Sequence, residues 1–154
     1  VEHINGFKLH GAMTLVHQQY GDEGNLLGVS TRQKDNIIVD NGFDLICDAL
    51  GKAVGRPDVI SHIEAGSGVT APVSGDDTLE STLLRKVAVY AHTAGTKIFT
   101  MSVTFAAGEA TGPITEAGVF NAAADGIMLD RVTFAVINKG ANDTLTVTFT
   151  FTLS

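Results

Sequence analysis

The sequence predicts a mainly β fold, an antiparallel β-sandwich or barrel with one short α-helix and an extended N-terminal arm or hairpin. Three observations predict it. Apolar and polar residues alternate at period two over several stretches, Gly, Pro, Asn and Asp punctuate the intervals between them, and a single segment carries helical spacing. Strands that follow one another without intervening helices cannot make parallel crossovers, so their pairing is antiparallel. A chain of 154 residues suits one domain, burying roughly 68–70% of its unfolded surface.

Residues 1–35 differ in character from the rest. Gly6, Gly11, Gly21, Gly24, Gly28 and the polar run Gln18–Glu23 leave only short apolar clusters, Met13–Val16 and Leu26–Val29. This segment reads as an N-terminal arm or edge hairpin, ordered by packing on its own domain or on a neighbour. Its removal is expected to leave a folded core. Residues 36–154 form the sandwich domain, with the helix near 41–51. Phe43, Ile46, Cys47 and Leu50 recur at i, i+3, i+4 and i+7, Asp40 or Asn41 can serve as N-cap, and Gly51 marks the stop. So short a helix needs tertiary packing, so the stripe, Cys47 included, is expected to face the sheet.

Candidate strands follow at Val59–Ala65, Leu84–Ala91, Ile98–Phe105 and Ile114–Phe120, then around Val132, Phe134 and Val136. The last is the clearest: Leu145, Val147, Phe149, Phe151 and Leu153 alternate with Thr146, Thr148, Thr150, Thr152 and Ser154. Its Thr face is β-branched, which fits a pleated surface and stays wettable without charge.

The composition narrows the chemistry. A net charge of −7 lacks the clustered cations that neutralise phosphates, so nucleic acid is not expected as a partner. Cys47, the one cysteine, excludes an internal disulfide and a Cys-based zinc site. No apolar run approaches the ~18–20 residues of a membrane span, and Glu2 and His3 do not open a leader peptide. A soluble chain made in the cytoplasm is expected.

No residue is assigned to catalysis, to a cofactor or to a metal. His3, His10 and His17 stand seven apart, but Gly6 and Gly11 oppose a helix there, and on a strand odd spacing sends neighbours to opposite faces. His62 and His92 lie far away in sequence, so surface or interface roles are expected for all five. Gly66-Ser67-Gly68 precedes no helix and no Gly-Lys-Ser/Thr, so it reads as a tight turn rather than a phosphate loop. Ser74-Gly75-Asp76-Asp77-Thr78 has too few oxygens for calcium, and Asp125-Gly126 reads as a hairpin turn. Ser61, Ser67, Ser74, Ser81 and Ser102 form no nucleophile elbow, and nothing in their spacing pairs Glu64, Glu109 or Glu116. The chain is read as non-enzymatic.

Four pieces recur in a telling order: Asn36-Ile37-Ile38-Val39-Asp40-Asn41-Gly42 leading into the helix; Ile60-Ser61-His62-Ile63-Glu64-Ala65-Gly66-Ser67-Gly68-Val69-Thr70-Ala71-Pro72; Thr78-Leu79 with Leu84-Arg85-Lys86; and Pro113-Ile114-Thr115-Glu116-Ala117-Gly118-Val119-Phe120. Over about residues 36–154 this resembles a family of small bacteriophage virion proteins and is similar to the collar-proximal domain of phage tail fibres. That pattern has an I-T-H-I-A-L-G-x-G strand and an I-T-E-I-G-L-F strand, and Glu64-Ala65 and Ala117 depart from its more apolar form. The resemblance implies a structural role in a virion and carries over no catalytic residue. Gly118 is expected at a close backbone approach or bulge. Arg85 and Glu116 are expected to form a charge pair, which if exposed contributes only about 0–1 kcal/mol.

Three roles are compatible with that reading. The first is a capsid decoration (cement) protein held on the outer shell, with the N-terminal arm clamping the major capsid protein or a neighbouring copy, as a homo-oligomer for which a trimer is the natural guess. The ending of the chain at its last strand, with no shaft, is expected to favour it. The second is a tail fibre or tail/baseplate adaptor binding tail proteins. The third is a non-viral carbohydrate-binding sandwich, placed last because the chain has no Trp and only Tyr20 and Tyr90 besides Phe.

Overall fold

A computed structural model describes residues 6–154. Among them it holds ten strands and one helix: β1 (Leu9–Tyr20), β2 (Leu26–Asp35), β3 (Ile37–Ile38), α1 (Asp40–Gly51), β4 (His62–Gly66), β5 (Thr82–Val87), β6 (Val89–His92), β7 (Ile98–Phe105), β8 (Gly112–Phe120), β9 (Met128–Lys139) and β10 (Thr144–Leu153). The strands form two antiparallel five-stranded sheets, ordered β2-β1-β10-β7-β6 and β3-β9-β8-β4-β5. The fold is the expected mainly β sandwich with one short helix.

Alternation decides which faces meet. Along β10 the odd-numbered residues Leu145, Val147, Phe149 and Phe151 are buried while the threonines between them stay half-exposed. Met13 and Leu15 of β1 and Met101, Val103 and Phe105 of β7 join them on the inner face of the first sheet. Ile63, Ala117, Val119, Leu129, Val132 and Ile137 answer from the second. Phe99 stacks on Phe151 with ring centroids 4.7 Å apart, which adds a preferred aromatic geometry to the area buried.

The N-terminal segment is an edge hairpin in its described part, and residues 1–5 lie outside the described residues. β2 forms the edge, but β1 lies inside the sheet and pairs with β10 from Leu9 opposite Leu153 to Gln18 opposite Thr144. Residues 9–35 are therefore not an arm reaching for a neighbour. The short cluster Met13–Val16 suffices for this, because on a strand it turns Met13 and Leu15 inward, both fully buried.

Both lateral edges are crossed by the chain itself. It passes from the first sheet to the second through Asn36, between β2 and β3, and back from β5 to β6 through Ala88. The stretch Leu84–Ala91, expected as one strand, is thus two strands in different sheets. No Gly or Pro announces the corner; what fixes it is the Ala88 N–H, which donates to the Ser61 carbonyl at 2.8 Å.

The helix forms where expected but is turned. Gly42 and Leu45 are buried, with Ile46 and Ala49 half-buried on the same side, whereas Phe43, Cys47 and Leu50 are exposed. The docked face is thus displaced by one residue, about 100°, from the expected stripe. Gly42 explains the displacement, since a Cβ there would collide with the Leu129 carbonyl of β9, and its absence lets the helix lie close on the sheet. Val39 holds the N-cap position with no side-chain cap, so neither Asp40 nor Asn41 plays that part; Asp40 instead places its charge in the first turn, where the helix dipole favours it.

Candidate functional site

β8 carries Glu116 into the interior, and this fully buried carboxylate organises everything around it. Its Oε1 accepts the N–H groups of Gly68 at 2.9 Å and Ser81 at 2.8 Å. Its Oε2 accepts the Glu80 N–H at 3.1 Å and two donors of Arg131, Nε at 3.0 Å and Nη2 at 2.8 Å. Arg131, from β9, also donates to Asp76 Oδ2 at 2.7 Å and to the Thr70 carbonyl at 3.2 Å. Burial alone would lower the guanidinium pKa, but the bonds to Asp76 and Glu116 outweigh it and raise the value. The exposed Glu80 closes the loop, accepting the Val69 and Thr70 N–H groups and the Thr70 hydroxyl; the bonds from Thr70 lower its pKa most.

This network corrects two expectations. Gly66-Ser67-Gly68 is not a tight turn but an extended run that finishes β4, and its glycines are there because a Cβ at either would strike the Glu116 side chain. Glu116 does not form the expected pair with Arg85, and neither residue is exposed. Arg85 binds Glu64 instead, at 2.7 and 3.1 Å, with its guanidinium over the Phe120 ring. Glu109 accepts from Lys86. Each of the three glutamates is thus held by its own cation, and no two form a working carboxylate pair.

Two further polar pairs are buried. His17 bonds to Asp143 at 2.9 Å, and Asp143 also accepts the N–H groups of Tyr20 and Gly140. Burial pushes the Asp143 carboxyl up, but these donors prevail and lower it. At the β2–β3 corner, the Asn36 side chain packs over Gly11 and contacts Asp130, whose other oxygen accepts the Val119 N–H. Burial raises the Asp130 carboxyl well above its ordinary range.

The histidines do not converge. His10 and His17 lie on opposite faces of β1, as the odd spacing requires, His10 beside Asp35 at the surface and His17 inside. His62 bonds to the Ser61 hydroxyl and His92 to the Ile98 carbonyl, while His3 lies outside the described residues. Among the described residues, no three His, Cys, Asp or Glu side chains are grouped as metal ligands would be. Asp125 and Gly126 both take the positive φ of a tight turn, though the loop from Phe120 to Met128 is longer than a two-residue hairpin.

The surface feature that the sequence did not single out is an apolar groove of about 1290 Å³. It opens at the end of the sandwich where β1 begins and β10 finishes, between α1, segment 56–62 and the β6–β7 pair. Leu45, Ile46, Leu50, Val59, Tyr90 and Phe99 line it, with the oppositely charged Arg56 and Asp58 also in the lining. Leu50 and Val59 are 80% and 79% exposed. Their clustering points to a contact surface, since single exposed apolar residues are ordinary but contiguous ones are not. Val59, two residues after Pro57, was the available signal.

No known protein family matches the chain, and no curated protein or solved structure shows a significant likeness to it.

Proposed function

We propose that this chain is a structural protein of a bacteriophage particle, serving as a decoration protein on the outer shell. The observation that carries the reading is the convergence of the motif-bearing segments on Glu116. The strand with Ile60–Pro72, the stretch that begins at Thr78-Leu79 and the strand Pro113–Phe120 meet at that carboxylate. Three of the four segments that carry the resemblance to virion proteins are therefore parts of one structural unit. Such a unit stiffens a subunit and offers surfaces; the role asks for binding and rigidity, not catalysis.

Attachment to the major capsid protein falls to surfaces of the folded body rather than to a clamping arm, because residues 9–35 are committed to their own sheet. The net charge of −7 suits an outward position, where like-charged particles stay dispersed. A tail or baseplate adaptor is the second reading, favoured by the similarity of the Glu116 strand to the collar-proximal domain of tail fibres.

Quantitative mass spectrometry of purified virions separates the two. Decoration requires a copy number comparable to that of the major capsid protein, and a copy number set by the tail's low symmetry would replace it with the adaptor reading. Absence from purified particles would remove both.

A further inference from the structure

We infer that two copies of this chain join edge to edge, β2 of one pairing antiparallel with β2 of the other about a two-fold axis at Thr31. The inference goes beyond the virion role and stands or falls without it. Among the described residues β2 is the longest edge strand, ten residues against six for β5, four for β6 and two for β3. The Asn36 N–H donates to the Gly11 carbonyl, and an antiparallel ladder turns alternate residues toward the partner strand. The even-numbered residues of β2 therefore bond to β1. Val29, Thr31 and Gln33 direct their N–H and C=O groups outward, where they meet no partner among the described residues. All three residues are exposed, and such a row of free backbone groups is a template for another strand.

The residues along the edge select a second copy and its register. From Leu26 to Thr31 the strand carries no charge and no proline, the usual guards of an open edge; Arg32, Lys34 and Asp35 follow. Outward-facing residues must pair with outward-facing residues, so a two-fold axis at Thr31 sets Val29 opposite Gln33. It also sets Arg32 opposite Ser30 and Lys34 opposite Gly28. Each cation then faces a neutral residue, and no like charges stand directly opposed. Moving the axis to Arg32 sets the two arginines against each other, and moving it to Gln33 sets Arg32 against Lys34, both unfavourable. Moving it to Ser30 or Val29 draws in Leu27, which has no opposite residue in β1 because the register shifts there, and such a bulge interrupts a ladder. The Thr31 register alone pairs the regular stretch Gly28–Lys34 without conflict. The contact uses one patch on both copies, so it closes at a dimer.

Light scattering coupled to size exclusion, run over a concentration series, is expected to show the wild-type chain passing from monomer to dimer. Disulfide mapping under mild oxidation then reads the register. In a Cys47→Ser background, Thr31→Cys is expected to link two chains, because residues paired across the axis hold their Cα atoms about 5.5 Å apart. Val29→Cys and Gln33→Cys are each expected to stay unlinked alone, their own mates being more than about 13 Å away, and to link when mixed. Thr31→Pro removes an outward N–H and no bond to β1, so circular dichroism is expected to stay native while the dimer is lost. Thr31→Val keeps that N–H and is expected to dimerise like the wild type. A wild-type chain that stays monomeric up to about 1 mM overturns the inference, whether the edge stays bare or takes a strand from another protein. So does a natively folded Thr31→Pro chain that still dimerises, or a mixture of Val29→Cys and Gln33→Cys that links no better than either alone.

Discussion

Arg131 directs Nε and Nη2 at a single oxygen of Glu116, at 3.0 and 2.8 Å, while the other oxygen takes two backbone N–H groups from the loop the pair supports. Both side chains are nearly or wholly buried. A buried ion pair is weak evidence of net stabilisation, but losing one member strands the other charge. Glu116→Ala takes from the buried guanidinium its one fully buried counter-charge, leaving it Asp76, the Thr70 carbonyl and the more distant Glu80, and leaves three backbone donors unpaired. The expected loss is about 3–5 kcal/mol, read from the shift in a urea unfolding midpoint. Arg131→Ala is expected to cost a similar amount, and the double variant less than the sum of the two, because both remove one interaction. Additive losses would show that the pair is not coupled.

Asp130 makes stability depend on pH in the sense opposite to most carboxylates. Burial raises its folded-state pKa, whereas in the unfolded chain the proton leaves near pH ~4. Between those values the folded state binds the extra proton, so stability falls as pH rises, by at most about 1.4 kcal/mol per pH unit. Asp130→Asn removes the titration and can still accept the Val119 N–H; its amide nitrogen then faces the Asn36 side chain, whose amide must turn over to present its Oδ1, a buried atom that now has no partner. Urea midpoints at pH 4.5 and pH 7.5 are expected to show the variant gaining on the wild type as pH rises. A gap that does not change with pH would mean that Asp130 ionises normally.

The parts of the fold legible in the sequence are those governed by local periodicity. Alternation from Leu145 to Leu153 and from Ile98 to Phe105 identifies strands because each residue's face follows from its own position. What the sequence hides is set by partners distant along the chain. Nothing near Ala88 encodes that the chain must change sheets there, and nothing in the helical stripe shows that a glycine four residues before Ile46 would set the docking face. The Glu116 site was half legible. Glu116 stood out inside an apolar strand, as Asp130-Arg131 did inside another, but the cross-strand register that opposes Glu116 to Thr133, close to Arg131, is a tertiary fact.

Cys47 offers a direct check on that docking face. Had the helix turned the Phe43, Ile46, Cys47 and Leu50 stripe inward, the thiol would be shielded; instead it is exposed. An exposed thiol is open to reagent whether or not the chain is folded. Ellman's reagent at pH 8 is expected to label the native protein about as fast as the urea-unfolded chain. Labelling slowed a hundredfold or more, of the order that a local opening costing about 2.7 kcal/mol imposes, would place Cys47 inside and return the helix to the expected face.

Deleting residues 1–35 tests how far the hairpin belongs to the domain. The sequence alone allowed a core that folds without it. In the structure β1 lies between β2 and β10, and it contributes the fully buried Met13 and Leu15. Truncating a buried side chain of that size costs about 2–5 kcal/mol, so losing two, with all the β1–β10 ladder bonds, uses up most of the ~5–15 kcal/mol that holds a typical domain together. The deletion also leaves β10 as a bare edge of alternating Thr and large apolar residues, a template for strand addition between chains. A fragment starting at Asn36 is therefore expected to be insoluble, or soluble without a cooperative unfolding transition. Cooperative melting of a soluble fragment, followed by near-ultraviolet circular dichroism, would show instead that the sandwich closes without β1 and that the hairpin is an accessory to it.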